Sequence, residues 1–259
     1  MIIFKAIKNS VPPQRIISLV PSITELLFYL GLEESIVGIT KFCVHPKELV
    51  LNKTKIGGTK NININKIRSL KPDLIIANKE ENVEEQINSL AKDFPIFLTD
   101  VNDLSSALIM IKNTGQITHK IKEATNLIDD INKKLSLLTL APSKLNAAYL
   151  IWKDPYMSIG GDTYINEMLC HCGFKNIFAT QKRYPVVTID ELKSKNCKLL
   201  LLSTEPYPFK QKHIDELKIE LPDTTIILVD GEMFSWYGSR LLLAADYFQC
   251  LIQKVNAVQ

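Results

Sequence analysis

The sequence has no apolar run that approaches the ~20 residues a membrane-spanning helix needs, and no block of lysine and arginine. Its formal net charge is only +3 at pH 7, which argues against nucleic acid as a partner. The opening stretch MIIFKAIKNSVPP lacks the apolar core and the small-residue cleavage site of a signal peptide. As written, the chain is expected in the cytoplasm, or in the periplasm if an upstream signal is missing from it.

Cysteine is scarce. The five cysteines are odd in number and have no regular spacing, so they predict no disulfide framework and agree with a reducing compartment. No serine or cysteine lies in a nucleophile motif such as G-x-S-x-G. Three of the four histidines fall in predicted helices, away from the loops that carry the other chemically active side chains. We therefore predict a protein that is not an enzyme and has no intrinsic cofactor.

What the chain does have is a regular alternation of short apolar runs with amphipathic segments. Runs such as IISLV (16–20), LIIAN (74–78), KLLLLS (198–203) and TIILVD (225–230) are typical of buried parallel strands. The alternation predicts an α/β fold with mainly parallel sheets. From 104 to 138, apolar residues recur every three or four positions, which predicts amphipathic helix, in one long piece or two in series.

This interruption of the alternation predicts two lobes. The expected domains are an N-terminal α/β lobe (1–103), a connecting helix (104–141) and a C-terminal α/β lobe (142–259). In open α/β sheets, ligands bind beyond the carboxyl ends of the strands. The segments after the predicted strands hold a large share of the aromatic, cysteine, histidine and glycine residues. We therefore expect these segments to bind a large, flat ligand.

Five segments, in this order, resemble the periplasmic binding proteins for vitamin B12, ferric siderophores and haem: RIISLVPSITELLFYLGL, VGITKFCVHP, KIRSLKPDLIIAN, GGDTYINEMLCHCGFKNIF and GSRLLLAADYF. The similarity runs from about residue 14 to the C terminus. It implies two Rossmann-like lobes joined by a long rigid α-helix, with a metal chelate held between the lobes without large hinge motion. Cobalamin, haem or a ferric chelate would then be a bound ligand.

The resemblance also implies binding residues, because aromatic side chains from the loops of this family pack on the corrin ring. The matching positions are Phe42, His45, Met157, Tyr184 and the loop that holds Phe234, Trp236 and Tyr237. Arg240, just after that loop, would bind a ligand anion or an acidic side chain. The alternative is that Phe234 and Trp236 seal the base of their lobe. Tyr207 and Phe209 likewise either line the site or seal an edge.

Cys43 and His45 are candidate axial ligands for a central cobalt or iron. Residues two apart in an extended loop point the same way, so both side chains would face the ligand. In the alternative, Cys43 packs as a small hydrophobic residue and His45 bonds to backbone.

In the resembling family, one acidic residue on each lobe contacts the permease of an ABC importer. Asn65 and Ser235 occupy those positions here, and neither carries charge. That contact would not form as in the relatives, unless nearby acids such as Glu80, Glu81 or Glu232 replace it. The chain is expected to be a monomer.

The sequence thus predicts a solute-binding protein for a metal chelate, with a vitamin B12-like corrinoid as first candidate. Two alternatives use the same scaffold. One is an enzyme of corrinoid or metal-chelate metabolism with Cys43 and His45 as reactive groups, and the other is a cytosolic sensor that reports ligand status to another protein.

Overall fold

Short strands, most of them paired in parallel, build two separate sheets in the computed structural model, which describes residues 2–4, 11–138 and 145–257. By their contacts the described residues form two compact units. The first unit consists of three stretches: the described residues from the N terminus to Val101, then Ser105–Asp130, then Trp236–Arg240. The second unit contains the other described residues. None of the helices in the described part of the chain is both long and apolar enough to cross a membrane.

The first unit is built on a sheet with the strand order β1-β5-β4-β2-β3. Its strands are β1 (Ile2–Phe4), β2 (Ile16–Ser18), β3 (Ile36–Ile39), β4 (Leu74–Asn78) and β5 (Ile96–Thr99). Strands β2 to β5 pair in parallel, and β1 pairs antiparallel with β5. The helices are α1 (Pro21–Tyr29), α2 (Lys47–Val50), α3 (Ile64–Ser69) and α4 (Glu84–Ala91), with a 3-10 turn at Glu33–Ser35. Ile17, Ile75, Ile67 and Leu90, from two strands and two helices, are fully buried together in its core.

The predicted connecting helix is two helices in series, α5 (Leu104–Ile117) and α6 (Ile121–Ser136). The chain turns between them at His119, whose φ is +57°. A Cβ on Gly115 would lie 2.4 Å from the Cβ of Ala124, so glycine lets the end of α5 approach α6 closely. In these two helices, Ser105–Asp130 group with the first unit, and Leu104 and the residues from Ile131 group with the second. The predicted boundary at 141/142 lies outside the described residues.

The second unit has a fully parallel sheet in the order β7-β6-β8-β9. Its strands are β6 (Leu145–Leu150), β7 (Phe174–Asn176), β8 (Leu199–Ser203) and β9 (Thr225–Val229). Its helices are α7 (Tyr164–His171), α8 (Ile189–Ser194), α9 (Gln211–Glu220), α10 (Gly231–Ser235) and α11 (Leu241–Asn256). Leu150, Leu202, Leu192 and Leu217 meet in its core, because β6 and β8 are covered by α8 and α9. The sequence assigns the residues after β9 to a loop, whereas in the structure they form the short helix α10.

Candidate ligand-binding site

The five residues Trp236–Arg240, here called the return segment, belong to the first unit although α10 and α11 on either side belong to the second. Gly238 allows the backbone to follow this path between α10 and α11. Its φ is +100°, a conformation that residues with a side chain rarely adopt. A Cβ at this position would lie 3.3 Å from the Cβ of Leu26 and 3.4 Å from the carbonyl oxygen of Ser22. The return segment therefore lies directly against helix α1.

Arg240 holds the return segment in place through a bidentate ion pair with Glu25 of α1. Its Nε donates to Glu25 Oε2 at 2.9 Å and its Nη2 donates to Glu25 Oε1 at 2.8 Å. The side chains are only 5% and 15% exposed. Removing one partner of such a buried pair typically costs about 3–5 kcal/mol, because the other charge is left uncompensated. The pair thus fixes Arg240 in place.

Trp236 lies between this ion pair and His45. The guanidinium carbon of Arg240 is 4.9 Å from the centre of the indole ring, within the range of a cation–π interaction. The ring centres of Trp236 and His45 are 5.5 Å apart, with an angle of 75° between the ring planes. Glu25, Arg240, Trp236 and His45 form a continuous line of contacts within the first unit, and we call it the clasp.

Cys43 and His45, the two candidate metal ligands, have different surroundings. Cys43 is 1% exposed, and its Sγ lies 3.1 Å from Thr24 Oγ1 and 3.2 Å from Thr40 Oγ1. Burial raises the pKa of the Cys43 thiol, which disfavours the thiolate that a metal would need. His45 is half-buried. Within the described residues, no group of three or more His, Cys, Asp or Glu side chains is arranged to hold a metal ion.

Phe42 is an exposed ring of the first unit. It follows β3, and 50% of its surface is open to solvent. The Nζ of Lys41 lies 5.0 Å from the centre of its ring. One edge of the ring rests on Gly58, where an added Cβ would come within 3.2 Å of Phe42 Cε2. The Phe42 ring therefore packs against Gly58 on one side, while its other side stays in contact with water.

In the second unit, a hairpin-like segment after β6 carries Trp152 and Met157. The Met157 amide donates to the Trp152 carbonyl at 3.1 Å, and Met157 also forms a bridge with Val186. Met157 is half-buried, as is Tyr184, whose ring centre is 5.5 Å from the guanidinium carbon of Arg183. Trp152 is 41% exposed.

Trp152 was not among the sequence candidates, although it lies two residues after the end of β6 at the carboxyl edge of the sheet. Its ring centre is 5.7 Å from that of Tyr207, at an angle of 68°. Tyr207 is half-buried, whereas Phe209 is 3% exposed and packs in the core of the second unit. Tyr207 therefore packs against the exposed ring of Trp152, and Phe209 seals the edge of the second unit.

Phe234 and Tyr237 are enclosed. Phe234 is 0% exposed, and its ring centre lies 5.1 Å from that of Tyr149 and 4.8 Å from that of Phe248. Phe234 therefore seals its unit, which is one of the two roles that the sequence analysis gave for it. Tyr237, in the return segment, is 7% exposed.

The comparisons with known proteins agree with this architecture. A family model described as "Periplasmic binding protein" matches residues 16–220. The vitamin B12-binding protein of Pectobacterium carotovorum is 25% identical over 242 residues, which cover 90% of this chain and 86% of that protein. An uncharacterized ABC transporter substrate-binding lipoprotein of Bacillus subtilis, YvrC, is 32% identical over 190 residues, which cover 68% of this chain and 59% of that protein.

Among solved structures, the periplasmic haem-binding protein RhuT of Roseiflexus sp. RS-1, in apo form, matches with a TM-score of 0.81 at 20% identity. The match covers 93% of this chain and 98% of that structure. It shows the fold, and with the two mainly parallel sheets it confirms the predicted two-lobed α/β class. The matching proteins are binding proteins, which confirms the prediction of a binding protein over an enzyme.

Proposed function

The chain belongs to the periplasmic binding protein family, and from that premise we propose that its solute is a metal tetrapyrrole, with a corrinoid as first candidate. The name of the Pectobacterium relative supports a corrinoid, and the name of the Roseiflexus protein supports the wider tetrapyrrole class. The observation that carries the proposal is that each unit by itself holds an exposed ring, Phe42 in the first and Trp152 in the second, beyond the carboxyl end of a parallel strand.

Exposing these rings has a free-energy cost. Leaving roughly 100 Å² of ring surface in water costs about 2–3 kcal/mol at ~25 cal/mol per Å². Phe42 rests on Gly58 and Trp152 is braced by Tyr207, so each ring is held with a face open. A flat tetrapyrrole would cover such faces at low entropic cost, because the rings are already positioned.

His45 is the residue we propose as axial ligand to the central metal. A neutral imidazole is a common ligand of iron and cobalt, and His45 is half-buried in the same segment as Phe42. Cys43 is enclosed by Thr24 and Thr40, so we assign it a packing role.

Cationic side chains accompany the candidate rings. Lys41 lies over Phe42, and Arg183 lies over Tyr184. Tetrapyrroles carry carboxylates, amides or a phosphate at the rim of the macrocycle, and these cations would bind the anionic ones. We propose that a cation of this kind, Lys41 beside Phe42 in the first unit, orients the rim of the ligand.

Membership of this family implies an ABC permease as partner as well as a small-molecule ligand. Asn65, at one proposed contact position, is exposed. Ser235, at the other, donates a hydrogen bond to Glu205 Oε1 at 2.8 Å, so a carboxylate lies beside this uncharged residue. We propose Glu205 as the acid that serves the permease contact on the second unit.

A fluorescence titration of the purified protein with cyanocobalamin and haemin tests the proposal. Phe42→Ala in the first unit should weaken binding at least tenfold, because it removes a ring that the ligand covers, and Trp152→Ala tests the exposed ring of the second unit separately. Ile219→Ala is the matched control, since Ile219 is 81% exposed but lies on α9 and should leave affinity unchanged. No binding of either chelate by the wild-type protein would overturn the proposed function.

A further inference from the structure

We infer that Glu25 and Arg240 are positioning residues, which act through Trp236 to hold the His45 ring in the orientation that metal coordination requires. The inference rests on the proposed function, because it assigns a role to residues behind the proposed axial ligand. Its geometric basis is the clasp, which joins residues 215 positions apart in the sequence.

The first link of the clasp is rigid. Two charge-assisted hydrogen bonds fix the plane of the Arg240 guanidinium relative to Glu25, and helix α1 fixes the backbone of Glu25. Both side chains are largely buried, so water competes little for these bonds. A surface pair would contribute far less, because it is screened and its side chains are mobile.

The second link transmits this rigidity to an aromatic ring. The fixed guanidinium lies over Trp236, and the indole is 8% exposed. Lysine could not replace Arg240 here, because an ammonium group has neither the planar fork for Glu25 nor a flat surface for the indole. The orientation of Trp236 therefore depends on the intact ion pair.

The third link is the edge contact between Trp236 and His45. An imidazole coordinates a metal only when the lone pair of one nitrogen points at it, and neighbouring groups usually set the ring orientation of such ligands. Trp236 restricts the rotation of the His45 ring from one side. A loss of the clasp should then reduce coordination more than it reduces the contact of the macrocycle with Phe42.

The experiment compares Glu25→Gln and Arg240→Lys with a matched control, Arg68→Lys. Arg68 donates from Nε to Asp93 Oδ2 at 2.8 Å in the same unit, but these side chains are 44% and 42% exposed. The probe is aquocobalamin, whose visible bands shift when an imidazole replaces the bound water. All variants are compared at a temperature at which circular dichroism shows them folded.

We expect Glu25→Gln and Arg240→Lys to lower the imidazole-coordinated fraction of bound aquocobalamin at least threefold. Arg68→Lys should match the wild type. Equal coordinated fractions in all four proteins would overturn the inference. Binding of aquocobalamin by the wild type without imidazole coordination would overturn the assignment of His45 and the inference, but not the proposed ligand class.

A second readout needs no ligand. The chain has two tryptophans, so 5-fluorotryptophan in a Trp152→Phe background gives one fluorine resonance, from Trp236. His45→Ala should move this resonance by removing the ring current of the imidazole. Glu25→Gln and Arg240→Lys should move it toward the His45→Ala position, and Arg68→Lys should not. If Glu25→Gln and Arg240→Lys leave the resonance unmoved, the inference fails, whether or not the wild-type protein binds aquocobalamin. A wild-type protein that binds no aquocobalamin would count against the proposed function alone.

Discussion

Cys43 and His45 are two positions apart in the sequence, yet their side chains meet different surroundings. The Cys43 sulfur contacts two threonine hydroxyls in the interior, while His45 remains half-buried against Trp236. The same contrast separates the five cysteines: Cys170 and Cys250 are exposed, and Cys43, Cys172 and Cys197 are buried. Burial raises the pKa of all three buried thiols, that of Cys197 to about 11.

This contrast predicts selective alkylation. At about pH 8, iodoacetamide should modify Cys170 and Cys250 and leave the three buried thiols intact, because only an accessible thiolate reacts. Since their pKa values are raised, the buried thiols should stay protonated as the pH rises past the ordinary thiol range, while an unfolded chain ionises. Folding stability should therefore fall above about pH 9. Mass spectrometry of the modified peptides gives the pattern, and rapid alkylation of Cys43 in the folded protein would contradict the packing role.

At the scale of single elements, the apolar strands and the amphipathic helices could be predicted from the sequence, because their periodicity reflects local burial. The course of the return segment could not. Arg240 pairs with Glu25 across 215 positions, and Glu25 has the sequence context of an ordinary polar helix residue. Phe42 and Phe234 are both rings near strand ends, and sequence alone does not tell that one is half exposed and the other enclosed.

Gly238 is the glycine on which the return segment depends. Gly238→Ala should lower the free energy of unfolding by about 1–3 kcal/mol, because alanine is strained at a φ of +100° and its Cβ would crowd Leu26. Gly31→Ala is the matched control. Gly31 also has a positive φ, +73°, but an added Cβ would meet only the flexible Lys120 Nζ at 3.7 Å. Urea unfolding of both variants measures the difference, and a smaller loss for Gly238→Ala than for Gly31→Ala would show that the return segment is loosely packed.

At the scale of the whole molecule, the chain builds two α/β units, each with an exposed ring beyond the carboxyl end of one of its strands. The fold class and the family resemblance could be predicted because the order and spacing of five weak segments together are specific. The expectation that the ligand is held between the two lobes stays a prediction. Each surface is described by its own residues, Phe42 and His45 in the first unit and Trp152 with Tyr207 in the second.

The measurement that tests the central claim most directly is anomalous diffraction from crystals grown with aquocobalamin, recorded at the cobalt absorption edge. The account predicts one strong anomalous peak per chain, within coordination distance of a ring nitrogen of His45, with the corrin macrocycle against Phe42. A fully bound corrinoid whose cobalt lies far from His45, or crystals without a cobalt peak at saturating ligand, would contradict it.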